Sequence, residues 1–129
     1  HSTEKMAVSI VEGFSRKGLS TILYDLKETH ISDIMSEVLK ADYIAVGSPT
    51  LNHCMLPTVA SFLCYLEGLT LKNKKAFAFG SYGWGGQSVQ AVHSKLESFG
   101  YEMVLEPIKL CYIPTKEQLR EIEDKVAAL

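Results

Sequence analysis

The protein has 129 residues, of which 47% are hydrophobic and 22% charged, and its formal net charge is −2. That length suits one domain with one core, and a balance this even, with no basic run beyond Lys72-Asn73-Lys74-Lys75, excludes a nucleic-acid footprint. Cys54, Cys64 and Cys111 form no CxxC pair, which argues against a disulfide framework or a zinc site, and no apolar run approaches the roughly 20 residues of a membrane span.

The odd number of cysteines and their lack of pairing point to a reducing, cytoplasmic setting, and the start His1-Ser2-Thr3-Glu4-Lys5 is not a signal peptide. From Thr3 to about Arg16, Met6, Ala7, Ile10, Val11 and Phe14 recur at three- and four-residue spacing. This predicts an amphipathic helix capped at Ser2 or Thr3 and stopped by Gly18. Ser20 to Leu26, with Thr21, Ile22 and Tyr24, reads as a strand. A short helix capped by Ser32 or Asp33 follows, with Ile34, Met35, Val38 and Leu39 on its buried face.

Tyr43 to Val46 is the next strand and Pro57 to Gly68 the next helix, with Val59, Ala60, Phe62, Leu63 and Leu66 as its apolar face. Lys74 to Phe79 is again a strand. From Gly86 to Gly100 a helix carries Val89, Val92, Leu96 and Phe99. Met103 to Ile113 is extended but broken by Pro107, hence either split or bulged, and Thr115 opens a last helix bearing Leu119, Ile122, Val126 and Leu129. Such alternation predicts an α/β fold in three layers, a doubly wound parallel sheet with helices on both faces. A fold of that kind normally begins with a strand, so one is expected upstream of His1, with residues 1–129 forming a single, N-terminally incomplete domain.

Two loops stand at the carboxyl edge of the sheet, where open α/β sheets bind ligands. The first, Gly47-Ser48-Pro49-Thr50-Leu51-Asn52-His53, offers backbone donors, a hydroxyl and a carboxamide on a segment stiffened by Pro49, a composition that an ordinary turn shares. The second, Gly80-Ser81-Tyr82-Gly83-Trp84-Gly85-Gly86, holds the only tryptophan among glycines. There it either stacks on a planar ring or packs on the core or on a partner chain, which leaves homo-oligomer formation open. Ser2 and Thr3, at a helix N-terminus, are either plain caps or an anion site.

Ser2-Thr3-Glu4-Lys5-Met6-Ala7, Val46-Gly47-Ser48-Pro49-Thr50-Leu51-Asn52 and Phe79-Gly80-Ser81-Tyr82-Gly83-Trp84, with Tyr112-Ile113-Pro114-Thr115 before the last helix, resemble the FMN-binding flavodoxin-like domain of A-type flavoproteins, the flavodiiron proteins. The resemblance covers nearly the whole chain. It implies that Ser2 and Thr3 hold the FMN phosphate, that Ser48, Pro49, Thr50, Leu51 and Asn52 line one side of the isoalloxazine, and that Ser81, Tyr82, Gly83, Trp84 and Gly85 line the other. It also implies electron transfer from rubredoxin or another small redox protein to a di-iron centre, on a separate β-lactamase-like domain, that reduces oxygen or nitric oxide.

The chain departs from the family in having His53 where a second Asn is common. It has no His-x-Glu-x-Asp run, and His1, His30, His53 and His93 are too scattered to propose an iron site, so neither a metal ligand nor a catalytic acid or base is expected. Two other readings compete: a flavin reductase using a nicotinamide or a quinone, and an FMN-free interaction domain.

Overall fold

The computed structural model describes residues 2–50, 55–83, 86–111 and 113–129. In chain order the elements are α1 (Ser2–Arg16), α2 (Ile31–Val38), β1 (Tyr43–Gly47), α3 (Pro57–Leu69), β2 (Lys75–Tyr82), α4 (Gln87–Ser98), β3 (Glu102–Met103), β4 (Ile108–Cys111) and α5 (Lys116–Ala127). All strand pairings are parallel, as alternation with helices requires.

β2 is the hub of the sheet. Its Lys75–Phe79 run pairs with Tyr43–Gly47 of β1, and its other edge takes β3 at Lys75 and Ala76 and β4 from Phe79 to Tyr82. The expected broken strand is therefore a split one, two short pieces on one edge of β2. Pro107, which has no N–H to give a ladder, lies in the gap between them.

Side chains of a strand point alternately to opposite faces, and β2 uses the two faces differently. Phe77 and Phe79 belong to a buried cluster with Met6, Ile10 and Phe14 of α1 and Ile122 and Val126 of α5. Ala76 and Ala78 belong to the opposite cluster, with Val59, Phe62, Leu63 and Leu66 of α3, Val89, Val92 and Leu96 of α4, and Ile34 and Val38 of α2. Large side chains fill one layer, and small ones admit helices in the other. The α1 and α5 backbones come close at Gly13, where an added Cβ would stand 2.7 Å from Glu123 O. At the end of α1, Arg16 reaches Glu123 at 2.8 Å and Asp124 at 2.7 Å.

Several local expectations are corrected. Residues 20–26 form no strand: among the described residues, β1 has β2 as its strand partner, and residues 20–24 join no ladder. A slot of about 90 Å³ separates Thr21, Ile22 and Leu23 from Tyr43 and Ala45 of β1, over a floor of Ala7, Ile10, Val11 and Phe14. β-branched residues favour an extended backbone, but a strand exists only when a neighbour pairs with it.

The cap of α2 is His30, whose Nδ1 accepts from Ser32 N at 3.2 Å, rather than Ser32 or Asp33. Leu39 is 55% exposed and Ala60 is exposed, each one position past the stripe that faces the sheet. Ser2 and Thr3 lie inside the first turn of α1 rather than at its cap. Gly68 falls within α3, which ends instead at Thr70 in the left-handed region with φ 47°. Thr115, which opens the last helix as expected, is its cap and forms a reciprocal capping box with Gln118.

Candidate functional site

The carboxyl ends of β1 and β2 and the N-termini of α1 and α4 converge on one edge of the sheet, and a chain of hydroxyl and backbone hydrogen bonds ties them together. Thr3 Oγ1 of α1 lies 2.8 Å from Ser81 Oγ and accepts from Ser81 N at 3.3 Å. Ser81 O in turn accepts from Thr50 N at 3.1 Å, just as Phe79 O accepts from Ser48 N at 3.1 Å, so the β1–β2 pairing runs on past the strand. Thr50 Oγ1 is 2.7 Å from Ser88 Oγ at the start of α4. Three of the four converging segments are thus linked through Ser81 and Thr50, and the fourth through Ser88.

Ser48 and Ser81 are buried, and their hydroxyls are engaged within the protein. Ser48 Oγ donates to Pro49 O at 2.9 Å and accepts from Leu56 N at 3.1 Å. The second bond serves the N-terminus of α3, whose cap residue Leu56 has no side-chain acceptor of its own. These serines hold the loop in shape. Ser2, Thr3, Pro49, Thr50 and Tyr82 are half-buried and Gly83 is exposed, all at the same edge. Leu51, Asn52, Trp84 and Gly85, together with His53, Cys54 and Tyr112, lie outside the described residues.

The glycines explain how closely the loops approach. A Cβ on Gly80 would stand 2.0 Å from Ser48 O, so any other residue there would push β1 and β2 apart, and one on Gly47 would stand 2.3 Å from the Phe79 ring, which would have to move. At Gly86 the place of a Cβ is taken by the stem of Lys109, 2.5 Å away. Sequence reasoning missed Ser88 and Lys109, since a serine in a helix's first turn and a lysine on a strand are unremarkable until topology sets them beside the loops. An open groove of about 490 Å³ between residues 26–31 and α3, which includes His30 and Tyr65, shares no residue with either loop. Among the described residues, no group of three His, Cys, Asp or Glu side chains is placed to hold a metal ion, and no helix is long and apolar enough to cross a membrane.

The family model described as flavodoxin matches residues 1–125. The chain belongs to the flavodoxin family. Among its relatives, this flavodoxin domain is 42% identical to the rubredoxin-oxygen oxidoreductase of Megalodesulfovibrio gigas, over 98% of the chain and 32% of that protein. It is 37% identical to the nitric oxide reductase of Moorella thermoacetica, over 98% of the chain and 33% of that protein. Among solved structures it superposes on the flavodiiron protein of Giardia intestinalis with a TM-score of 0.92 at 30% identity, covering 99% of this chain and 32% of the other. An archaeal flavodoxin matches with a TM-score of 0.88 at 26% identity and is covered over 87% of its own length. The chain thus spans about a third of its curated relatives and corresponds to their flavodoxin-like part.

Family membership implies FMN as the cofactor, and the described residues fit it. The first turn of α1 has backbone N–H groups without intrahelical partners, and the Ser2 and Thr3 hydroxyls stand beside them, which suits a phosphate. Gly83, exposed and without a side chain, leaves that part of the second loop open to a flat ring.

Proposed function

We propose that this flavodoxin domain is the FMN-binding electron-transfer part of a flavodiiron-type oxidoreductase. In this reading it receives electrons from rubredoxin or another small redox protein and passes them to a di-iron, β-lactamase-like domain that reduces oxygen or nitric oxide. The observation that carries the reading is the Thr3–Ser81 bond, which fastens the anion-binding end of α1 to the loop that would flank the ring. Phosphate and ring recognition then share one rigid edge.

When bound, FMN supplies the redox chemistry, taking and giving one or two electrons. The protein's own residues bind and orient. Ser2, Thr3 and the first amides of α1 hold the phosphate; Pro49, Thr50, Leu51 and Asn52 line one side of the ring, with Tyr82, Gly83, Trp84 and Gly85 on the other. Ser48 and Ser81 keep the two loops in register. No acid, base or nucleophile is required of the chain. Cys64 and Cys111 are free thiols, in keeping with a reducing, cytoplasmic setting.

The test is the visible absorption of the purified protein before and after FMN addition, with Trp84 fluorescence followed in the same titration. Flavin bands with saturable quenching are expected. Neither bands nor quenching would leave an FMN-free interaction domain. Steady NADH or NADPH oxidation without a partner protein would indicate a stand-alone reductase instead.

A further inference from the structure

Ser88 sits in the first turn of α4 and is fully buried. Its hydroxyl donates to Ser48 O at 3.4 Å and shares a 2.7 Å bond with Thr50 Oγ1. A carbonyl oxygen only accepts, and a serine hydroxyl has one proton. The one arrangement that makes both bonds gives the Ser88 proton to Ser48 O and the Thr50 proton to Ser88 Oγ. The Thr50 amide is also spent, on Ser81 O. In that arrangement Thr50, half-buried at the sheet edge, is left with lone pairs and no proton to offer.

We propose that Ser88 is a positioning residue of the flavin site. It locks the β1–α3 loop onto α4 and sets Thr50 as a hydrogen-bond acceptor, the polarity that suits a ring N–H of a flavin rather than a ring carbonyl. The inference rests on the flavin reading and deepens it by assigning the direction of one hydrogen bond at the site. A part-buried bond between two hydroxyls, one of them fully buried, defines a single geometry, which a loop of turn residues alone does not.

The experiment compares FMN dissociation constants and reduction potentials of the wild-type protein with those of Ser88→Ala, Thr50→Val, the double variant and Thr50→Ser, with urea unfolding of each FMN-free form alongside. The expected result is a dissociation constant raised about tenfold by Ser88→Ala and equally by Thr50→Val, about 1.4 kcal/mol. The double variant should be no weaker than either single one, because the two act as a unit. Both potentials should move in the same direction, and Thr50→Ser, which keeps the hydroxyl, should bind like wild type.

A lowered urea midpoint with unchanged FMN affinity and potential would overturn the proposal, as would additive effects of the two substitutions. If Ser88→Ala does not fold, Thr50→Val against Thr50→Ser decides alone, since equal affinity in those two removes any role for the hydroxyl. A wild-type protein that takes up no FMN would instead bring down the flavin reading itself.

Discussion

The two edges of β1 are built from the same five residues and meet different fates. Toward β2, Tyr43–Gly47 is paired along its whole length, and the pairing continues into the loop through Ser48 and Thr50. Toward residues 20–26 there is a slot, although Thr21, Ile22 and Tyr24 have as much strand character as Ile44 and Val46. Ile22 is 57% exposed and Leu23 50%, whereas Ala76, Phe77 and Ala78 of β2 are fully buried. Local preference makes a segment extended; only a partner makes it a strand.

The largest contrast should come from Phe77→Ala. Removing a fully buried ring from between α1 and α5 is expected to cost about 3–5 kcal/mol, read as a fall in the urea midpoint with the slope unchanged. Gly80→Ala comes next, at about 1–3 kcal/mol, because its Cβ meets backbone that cannot yield without spreading the sheet. The same substitution should weaken FMN uptake, and a wild-type-like affinity would show that the close approach of the two loops does not matter to the cofactor.

Thr115→Ala removes the capping box of α5 and should cost about 1 kcal/mol. At the margin, Ile22→Ala should fall within about 0.5 kcal/mol. An Ile22→Ala loss as large as that of Phe77→Ala would break the comparison. It is sharpened by adding an apolar five-residue strand at the N-terminus. If that strand enters the slot, amides of residues 20–25 that exchange quickly should become protected, and Ile22→Ala should then cost about 1 kcal/mol or more.

Tyr101 offers the smallest effect. Its hydroxyl is buried without a partner among the described residues, and burial raises its pKa above the ordinary tyrosine value. The neutral form is therefore favoured in the folded state, and the stability linked to this group should be lost as pH climbs beyond about 10. Tyr101→Phe should abolish that alkaline component and leave the midpoint at neutral pH unchanged or slightly higher, as measured by urea unfolding across pH.

Periodicity alone made the helices and the central strands legible, since apolar residues at three- and four-residue spacing or in short runs report burial directly: Met6, Ile10 and Phe14 for α1, Ala76 to Phe79 for β2, Ile122 and Val126 for α5. The two loops at the sheet edge were legible because glycine, proline and small hydroxyl residues gather where backbone must turn or come close. The sequence by itself thus determined the alternating α/β fold and the sheet edge at which its two glycine- and hydroxyl-bearing loops meet. Tertiary structure decided what depends on a neighbour distant in the chain. Residues 20–26 needed a partner strand, Ser48 and Ser81 engage their hydroxyls within the protein, and Ser88 and Lys109 reached the loops only through the packing of α4 and β4. A side chain's chemistry is written in the sequence, but whether it faces a ligand, a carbonyl or another hydroxyl is set by what the fold places across from it.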